Sequence, residues 1–434
     1  MQDLQNALYK LDRARDAWKS VGTLGIVSYY SRSGLLPYRN NQFSGVPRDK
    51  SEFLSSRWYT ENLAVRALSC SPGCISGCTG TYKIKGNESP AAKKYAGETG
   101  HRFELLAQMG WGGMCDISDT PAVAHLWKMS NTHGVDAIEV SFCCAFLMEL
   151  WQRKIIDEAD ILEWVGQPVS FDWGSYEAAA TVIESMALQN NKLGRIFKDG
   201  ICKAAKRIEE IKGVNVMQYA IYGKGGLPGP TDARTNPSWA IAMAVSSRGA
   251  DHLKGALATV ERFSRTDMSM QHFGRPEAAE AGTPTLKGAD CARGENRCAM
   301  TNSLGVCSLL VTSDTILYPT SLFSGALTAC CGDVVTDKDL EIAGERTVNI
   351  EKAFNSRVGL RREDDLLSDR WMNEPQVDRP AKAPLRDLFE QVKDEYYEAH
   401  GWDKKTSLQT RRKLVELGMA DVAAVLAKDR AVVD

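Results

Sequence analysis

Apolar residues recur at helical spacing over most of the chain. Leu4, Leu8, Leu11 and Trp18 predict an amphipathic helix at the start. From Ser175 to Lys212, Ala178, Val182, Ile183, Met186, Ile201, Ala204 and Ile208 form an apolar face, with a turn near Asn190–Asn191. Near the end, Leu385, Leu388, Phe389, Val392 and Tyr396 make one stripe, closed by Gly401. Ser407 is placed to cap a last helix carrying Leu414, Leu417 and Val422. Punctuated segments separate these stripes. Gly34-Leu35-Leu36-Pro37 and the polar residues to Lys50 read as loop. Gly223–Asp232, interrupted by glycine and proline, cannot be regular structure and sets a domain seam near residue 235. Gly274–Arg297, rich in Gly, Pro and charge, reads as another irregular stretch. Strands are few. The expected fold is mainly α, with two helical domains, residues 1–235 and 236–434.

Composition adds exclusions. A chain of 434 residues suits two or three domains, and 43% hydrophobic with 25% charged residues is ordinary for a globular protein. The net charge of −2, from 53 basic and 55 acidic residues, gives no footprint for nucleic acid or an anionic membrane. The longest weakly charged apolar run, around Val140–Trp151 with Glu149 inside it, is short of the ~20 residues a membrane-spanning helix needs. Gln2, Asp3, Gln5 and Asn6 do not resemble a signal peptide. Twelve cysteines without an export signal point to metal ligands or buried small residues rather than disulfides. A cytoplasmic location is the expectation.

The most chemical segment is Cys70-Ser-Pro-Gly-Cys74-Ile-Ser-Gly-Cys78. Three thiols in a compact loop of small residues can converge on one point, and thiolates select zinc or iron–sulfur clusters over hard cations. A cubane cluster needs a fourth ligand from elsewhere, whereas a zinc site would want a fourth Cys or His nearby, and none is obvious. Cys115, Cys143, Cys144, Cys202, Cys330 and Cys331 read as buried small residues. Cys291 and Cys298 stay open.

Taken in order, several motifs resemble the second and third domains of the aldehyde:ferredoxin oxidoreductase family. Gly22-Thr23-Leu24-Gly25 and Gly34–Asn40 resemble the opening of its second domain, and the three-cysteine loop follows. That loop has three residues between its first two cysteines where the family has two. Asn131-Thr132-His133-Gly134-Val135-Asp136 and Asn302-Ser303-Leu304-Gly305-Val306-Cys307 resemble its paired pterin motifs, D-x-x-G-L-(D/C). Both begin with Asn in place of Asp, which keeps an amide acceptor but loses the charge. Arg248–Gly255 resembles R-G-x-x-H-x-(R/K)-G, and Glu351–Gly359 with Arg362–Asp365 resembles E-R-x-F-N-x-R-x-G and its continuation. Tyr396-Tyr397-Glu398 and Gly401-Trp402-Asp403 resemble the tail. The segment Lys224–Arg234 lacks the Glu, the Tyr and the second Pro of the family pattern.

The resemblance implies a tungsten (or molybdenum) bis-pterin and a 4Fe-4S cluster held by Cys70, Cys74, Cys78 and Cys307. It places Asn131, Gly134, Val135, Asp136, Asn302, Gly305 and Val306 at the pterins, with Lys254 reaching a pterin phosphate or the path to the cluster. Glu104 and His252 fall on the active-site carboxylate and histidine. A glutamate near an activated water serves as a general base, and a histidine polarises a carbonyl or relays a proton. It implies oxidation of an aldehyde to a carboxylic acid, with electrons passing to ferredoxin or an iron–sulfur electron-transfer subunit. The family's first domain, mostly β and ~200 residues long, supplies the base for both pterins, and it has no counterpart in this sequence. A separate polypeptide is then expected to supply it. Two other readings remain open: a tungsten subunit of a multi-subunit aromatic acyl-CoA reductase, and a truncated member lacking pterin and activity.

Overall fold

The computed structural model describes residues 19–434, apart from 73, 75, 76, 88, 225, 227, 228, 230, 308–318 and 377–383. The helix predicted over Leu4–Trp18 lies outside the described residues. Helices dominate the rest. Helix α1 (Val27–Ser33) stops at Gly34. A three-stranded antiparallel sheet follows, β1 (Ala64–Leu68), β2 (Thr79–Lys83) and β3 (Thr99–His101), in that spatial order. Leu68 lies opposite Thr79, and Thr81 opposite His101.

One helix packs against β3, and a second packs on the first. Helix α2 (Thr120–His133) starts at Asp119, whose side chain accepts from the Ala122 N–H. Helix α3 (Ala137–Gln152) is capped by Asp136 and buries every residue from 140 to 150. This is the apolar run seen in the sequence. Among the described residues no helix is long and apolar enough to cross a membrane. The stripe at 175–212 becomes α4 (Tyr176–Leu188), a short helix Lys192–Phe197 and α5 (Ile201–Lys212), broken at the asparagine pair as predicted. Then come α6 (Pro237–Val245), α7 (Lys287–Ser303), α8 (Thr320–Cys331), α9 (Asp337–Arg357) and α10 (Arg386–His400).

Three expectations need correction. The stretch Gly274–Arg297 is irregular only in its first half, since α7 begins at Lys287. Its polar sequence hides a core helix whose charges are paired. Buried Lys287 meets Glu261 at 3.3 Å, and buried Asp290 accepts from the Val260 N–H at 2.7 Å. Glu295 accepts from the Tyr396 hydroxyl at 2.5 Å. Cys291 and Cys298 are buried on this helix. Second, Ser407 caps nothing: it is buried and accepts from Lys352 Nζ at 3.0 Å. Thr410 caps the helix Arg411–Glu416, and a separate helix Ala420–Lys428 follows. Third, Cys330 and Cys331 are exposed at the end of α8, and Cys202 is only partly buried.

The described residues of Gly223–Asp232 form no helix, and they are pinned. Lys224 pairs with Asp365 at 2.7 Å, both buried. Asp232 takes Arg234 in a buried pair at 2.7 Å, and Arg234 also donates to the Asn41 carbonyl at 2.6 Å. The main hydrophobic cluster runs from Leu24 to Trp402 without a break at residue 235.

Candidate functional site

The ten-residue connection from Ser69 to Cys78 joins β1 to β2, so the three thiols sit on one hairpin loop. Cys70 is exposed, and Cys74 and Cys78 are half-buried. The Ser69 hydroxyl donates to the Cys74 carbonyl at 3.2 Å, and the Cys74 N–H to the Ser71 carbonyl at 3.1 Å. These bonds fold the loop back on itself. The strand leaving it, at Thr79, walls a cavity of about 530 Å³. The other walls come from Gly100, His101, Arg102 and Glu104 beside β3, and from Trp127, Lys128, Asn131 and Thr132 on the last turns of α2.

Sheet and helix are held in this relation by a polar bracket. The Tyr82 hydroxyl donates to Glu98 at 2.7 Å, and Glu98 also meets His125 Nδ1 of α2 at 2.7 Å. Burial pushes the Glu98 carboxyl up, but the bonds from His125 and Tyr82 outweigh it and leave it below its ordinary value.

Glu104 is the residue before a helical turn that widens into a buried π-helical segment, Gln108–Met114. The Leu105 N–H is taken by the Thr23 hydroxyl at 3.0 Å, which fixes where Glu104 leaves the chain. Its side chain is exposed to the cavity, yet the surrounding walls desolvate it. That pushes its carboxyl above the ordinary range, against the pull of Arg102. A carboxylate so placed holds a proton nearer to neutral pH than a free glutamate does. The structure thus brings together Glu104, Asn131 and the strand that follows Cys78. The sequence reading missed His101, Arg102, Trp127 and Lys128. For Arg102 a signal existed, two residues before Glu104 in the extended segment that continues β3.

The two candidate pterin motifs share one backbone geometry. Asn131 is in the last turn of α2; the Gly134 N–H donates to the Asn131 carbonyl at 3.2 Å and the Val135 N–H to that of Ser130 at 3.1 Å. In the second copy, the Gly305 N–H donates to the Asn302 carbonyl at 3.0 Å and the Val306 N–H to that of Thr301 at 3.1 Å. Both glycines have φ near 68°, the left-handed value that closes a helix. Asn131 also donates its amide Nδ2 to the Trp127 carbonyl at 2.8 Å, so its oxygen is the group offered to the cavity. Asp136 is occupied as a cap, accepting from the Ile138 and Glu139 N–H groups at 2.8 and 3.0 Å. Cys307, the last residue of the second copy, is exposed.

His252 does not line this cavity. It stacks on Trp239 of α6, with ring centroids 5.9 Å apart. Gly229 leaves room for the ring, since a Cβ there would stand 2.5 Å from Nδ1. A chain of contacts links the two places. Trp239 lies under Arg262 at 5.2 Å, the Arg262 carbonyl accepts from the Tyr29 hydroxyl of α1 at 3.0 Å, and α1 follows Thr23, which holds Leu105. Lys254 is engaged by Glu351 at 2.5 Å, and Glu351 also accepts from Ser247 at 2.6 Å. Two motifs recognised separately in the sequence are thus one contact.

Burial lowers the His252 pKa from 6.5 to about 4; Asp251 acts against this, and Arg262 and Arg248 with it. The folded imidazole is neutral at pH 7. An unfolded histidine titrates near 6.5 and binds a proton first, so this contribution is full above 6.5 and is lost as pH falls towards 4. It amounts to about 3 kcal/mol. The stability difference between His252→Gln and the wild type should therefore move in the variant's favour between pH 6.5 and 4, followed by thermal unfolding. A difference independent of pH over that range would rule out a depressed His252.

The donor set suits a soft metal centre in kind. Cys70, Cys74, Cys78 and Cys307 are accessible thiols on loops, whereas Cys115, Cys143 and Cys291 are buried and their thiols are raised far from ionisation. Among the described residues no three His, Cys, Asp or Glu side chains stand close enough together to hold a metal ion.

Comparison with known proteins bears on the whole chain. The family description "Aldehyde ferredoxin oxidoreductase, domains 2 & 3" matches residues 1–419. A tungsten-containing aldehyde ferredoxin oxidoreductase of Pyrococcus furiosus is 25% identical over 405 residues, 92% of this chain and 60% of its own length. That of Pyrococcus horikoshii is 24% identical with the same coverage. An aliphatic sulfonate oxidoreductase, WOR-like subunit, of Pyrococcus furiosus is 30% identical over 156 residues, 36% of this chain and 24% of its own. Among solved structures, the active-site complex BamBC of benzoyl coenzyme A reductase with 1,5-dienoyl-CoA superposes with a TM-score of 0.69 at 17% identity. That match covers 93% of this chain and 60% of the other, and shows a shared fold. The chain spans 60% of the length of the aldehyde oxidoreductases it matches.

Proposed function

This chain belongs to the aldehyde ferredoxin oxidoreductase family, and we propose that it is the helical part of a tungsten-pterin enzyme that oxidises an aldehyde to a carboxylic acid. A 4Fe-4S cluster on the cysteine loop would carry electrons on to ferredoxin or an iron–sulfur subunit. The observation that carries this reading is the cavity in which Glu104 faces Asn131 beside the strand leaving the three-thiol hairpin.

The pterin-bound tungsten supplies the two-electron chemistry, and the cluster passes the electrons on singly. The chain's own residues do the rest. Cys70, Cys74, Cys78 and Cys307 would hold the cluster, three from one hairpin and one from the turn that follows α7. Asn131 offers an amide oxygen to a pterin amine, and Asn302 is the matching residue of the second copy. Gly134, Val135, Gly305 and Val306 shape those two helix ends. Asp136 caps α3 through one carboxylate oxygen and would offer the other to the pterin. Glu104 takes up the proton released as water adds to the aldehyde carbon, and its raised affinity suits that task near neutral pH. Neutral His252, which lies outside the Glu104 cavity against Trp239, would offer an uncharged hydrogen-bonding group from that side. Lys254 acts through Glu351, fixing the loop that carries His252. The relatives' greater length supports a further body of protein, in this polypeptide or another, that completes the pterin site.

The test is anaerobic reconstitution with iron and sulfide, with metal analysis of the assembled enzyme. About four irons per chain are expected, together with tungsten or molybdenum. Cys307→Ala should reduce the cluster to a three-iron form or bleach its visible absorbance; an unchanged four-iron spectrum would remove Cys307 from the ligand set. Aldehydes and aromatic acyl-CoA thioesters, assayed side by side, separate oxidation from acyl reduction.

A further inference from the structure

Arg102 is buried, at 6% exposure, between the cysteine hairpin and the Glu104 cavity. Its Nη1 donates to the Ser20 carbonyl and its Nη2 to the Thr79 carbonyl, both at 2.8 Å. Its own N–H donates to the Gly80 carbonyl at 2.8 Å. Thr79 follows Cys78 directly, so the guanidinium grips the hairpin at its exit. The fit is close on both sides. A Cβ on Gly22 would stand 2.4 Å from the Cys78 carbonyl and 3.0 Å from Nη2, and one on Gly80 would stand 3.4 Å from the guanidinium carbon. At Gly22 only glycine lets the chain close on the Cys78 carbonyl and the cation, whereas the Gly80 contact with the guanidinium is an ordinary one.

The charge is harder to explain than the grip. Among the described residues Arg102 makes no ion pair with a carboxylate; its acidic neighbours at longer range are Tyr59, Cys78 and Glu104. A buried cation met by carbonyl oxygens alone is costly, and an uncharged donor such as glutamine would grip a carbonyl without that cost. The cost is offset if negative charge gathers beside it. An all-thiolate cluster on the hairpin supplies such charge.

We propose that Arg102 is a positioning residue that clamps the cysteine hairpin to the Glu104 cavity and sets a permanent positive charge behind the hairpin thiolates. The second half rests on the reading of that hairpin as a cluster loop. Such a charge favours the reduced cluster, which is one unit more negative than the oxidised one. Arginine, which does not lose its proton, provides it at every working pH.

Two variants separate clamp from charge. Arg102→Gln keeps one amide donor and loses the charge. Arg102→Lys keeps the charge but cannot reach both carbonyls. In the metal-free chain, protease cleavage between Ser69 and Cys78, mapped by mass, should speed up several-fold in both. In the reconstituted protein, Gln should weaken the reduced cluster by roughly tenfold, a fall of about 59 mV for one electron, whereas Lys should leave the potential near the wild type. Unchanged cleavage in both variants would overturn the clamp. An unchanged potential in Gln, or an equal fall in Lys, would overturn the charge. If Gln does not fold, Lys decides alone: loosened hairpin with retained potential supports the proposal, and a tenfold loss sinks it. If the wild type takes up no iron, the cluster reading fails first, and the charge behind the thiolates fails with it, while cleavage still judges the clamp.

Discussion

Glu104→Gln, in the fully metallated enzyme, should lower turnover by at least ~10²-fold, the usual scale for losing a positioned base. Gln has nearly the same shape, so the Leu105–Thr23 bond and the cavity walls stay. What goes is the ability to take a proton. In the wild type the base form of Glu104 appears only as pH rises through its raised value, so the acid limb of the rate profile should lie above that of an ordinary glutamate and vanish in the variant. Stability should move the other way. Between the ordinary carboxyl value and the raised one, the folded state holds a proton that the unfolded state has released. This group's contribution therefore falls as pH rises through that window. Gln escapes the penalty, and the variant should melt higher than the wild type at pH 7, with the gap closing at acid pH below both values. Slow turnover with a raised melting point marks a functional carboxylate. Near-normal turnover with full metal content would leave Glu104 as the residue that leads into a helical turn.

Much of the fold was legible because apolar residues at helical spacing find each other regardless of detail. The stripes at 175–212 and 385–401 became helices with the breaks where Asn and Gly stand. Helix α7 was not legible. It buries Lys287, Asp290 and Glu295 beside Cys291, Ala292, Cys298, Ala299 and Met300, and two of its glycines let neighbouring backbone come close. A Cβ on Gly288 would stand 2.3 Å from the Val392 carbonyl, and one on Gly294 2.8 Å from that of Gly255. Periodicity reads poorly where charges and glycines interrupt a core face of small apolar residues. Ser407 misled for a related reason: a polar residue before an apolar run reads as a cap until its hydroxyl is claimed from 55 residues away by Lys352.

The candidate site divides along the same line. Cys70, Cys74 and Cys78 were visible as a cluster because they are near in sequence, and the hairpin holds them on one loop. The likeness of the two Asn-x-x-Gly motifs extended to their hydrogen bonds, since a left-handed glycine after a helix leaves the backbone little choice. Arg102 stands two residues before Glu104, but its grip on two carbonyls, Ser20 and Thr79, is something no side-chain pattern records. The contact of Lys254 with Glu351, 97 residues away, was likewise beyond any local pattern.

Arg370→Met should lower the unfolding free energy by about 3–5 kcal/mol, the usual cost of stranding one member of a buried ion pair. Arg370 and Glu149 are almost fully buried and meet through two bonds of 2.7 Å each. Burial alone would weaken the guanidinium's hold on its proton, but the bonds to Glu149 raise it above its ordinary value. Glu149 also accepts from Asn40 Nδ2 at 2.7 Å, and Arg370 donates to the Asn40 carbonyl at 2.6 Å. Three distant parts of the chain, the Gly34–Asn40 loop, α3 and the short helix Asp369–Asn373, thus share one charge pair across residue 235. With Arg370 gone, Glu149 keeps only half-exposed Arg153 as a cation, at 2.8 Å. Methionine fills much of the space and contributes no charge, so the loss measures the stranded carboxylate. Glu149→Gln should cost a similar amount by stranding the guanidinium. The double variant should recover most of either loss, because neither charge is then buried alone. The four proteins, unfolded side by side in urea at pH 7, give the coupling directly. Additive losses in the double variant would mean that the pair is not the keystone, and that each residue acts through its separate bonds to Asn40, Arg153 and Glu374.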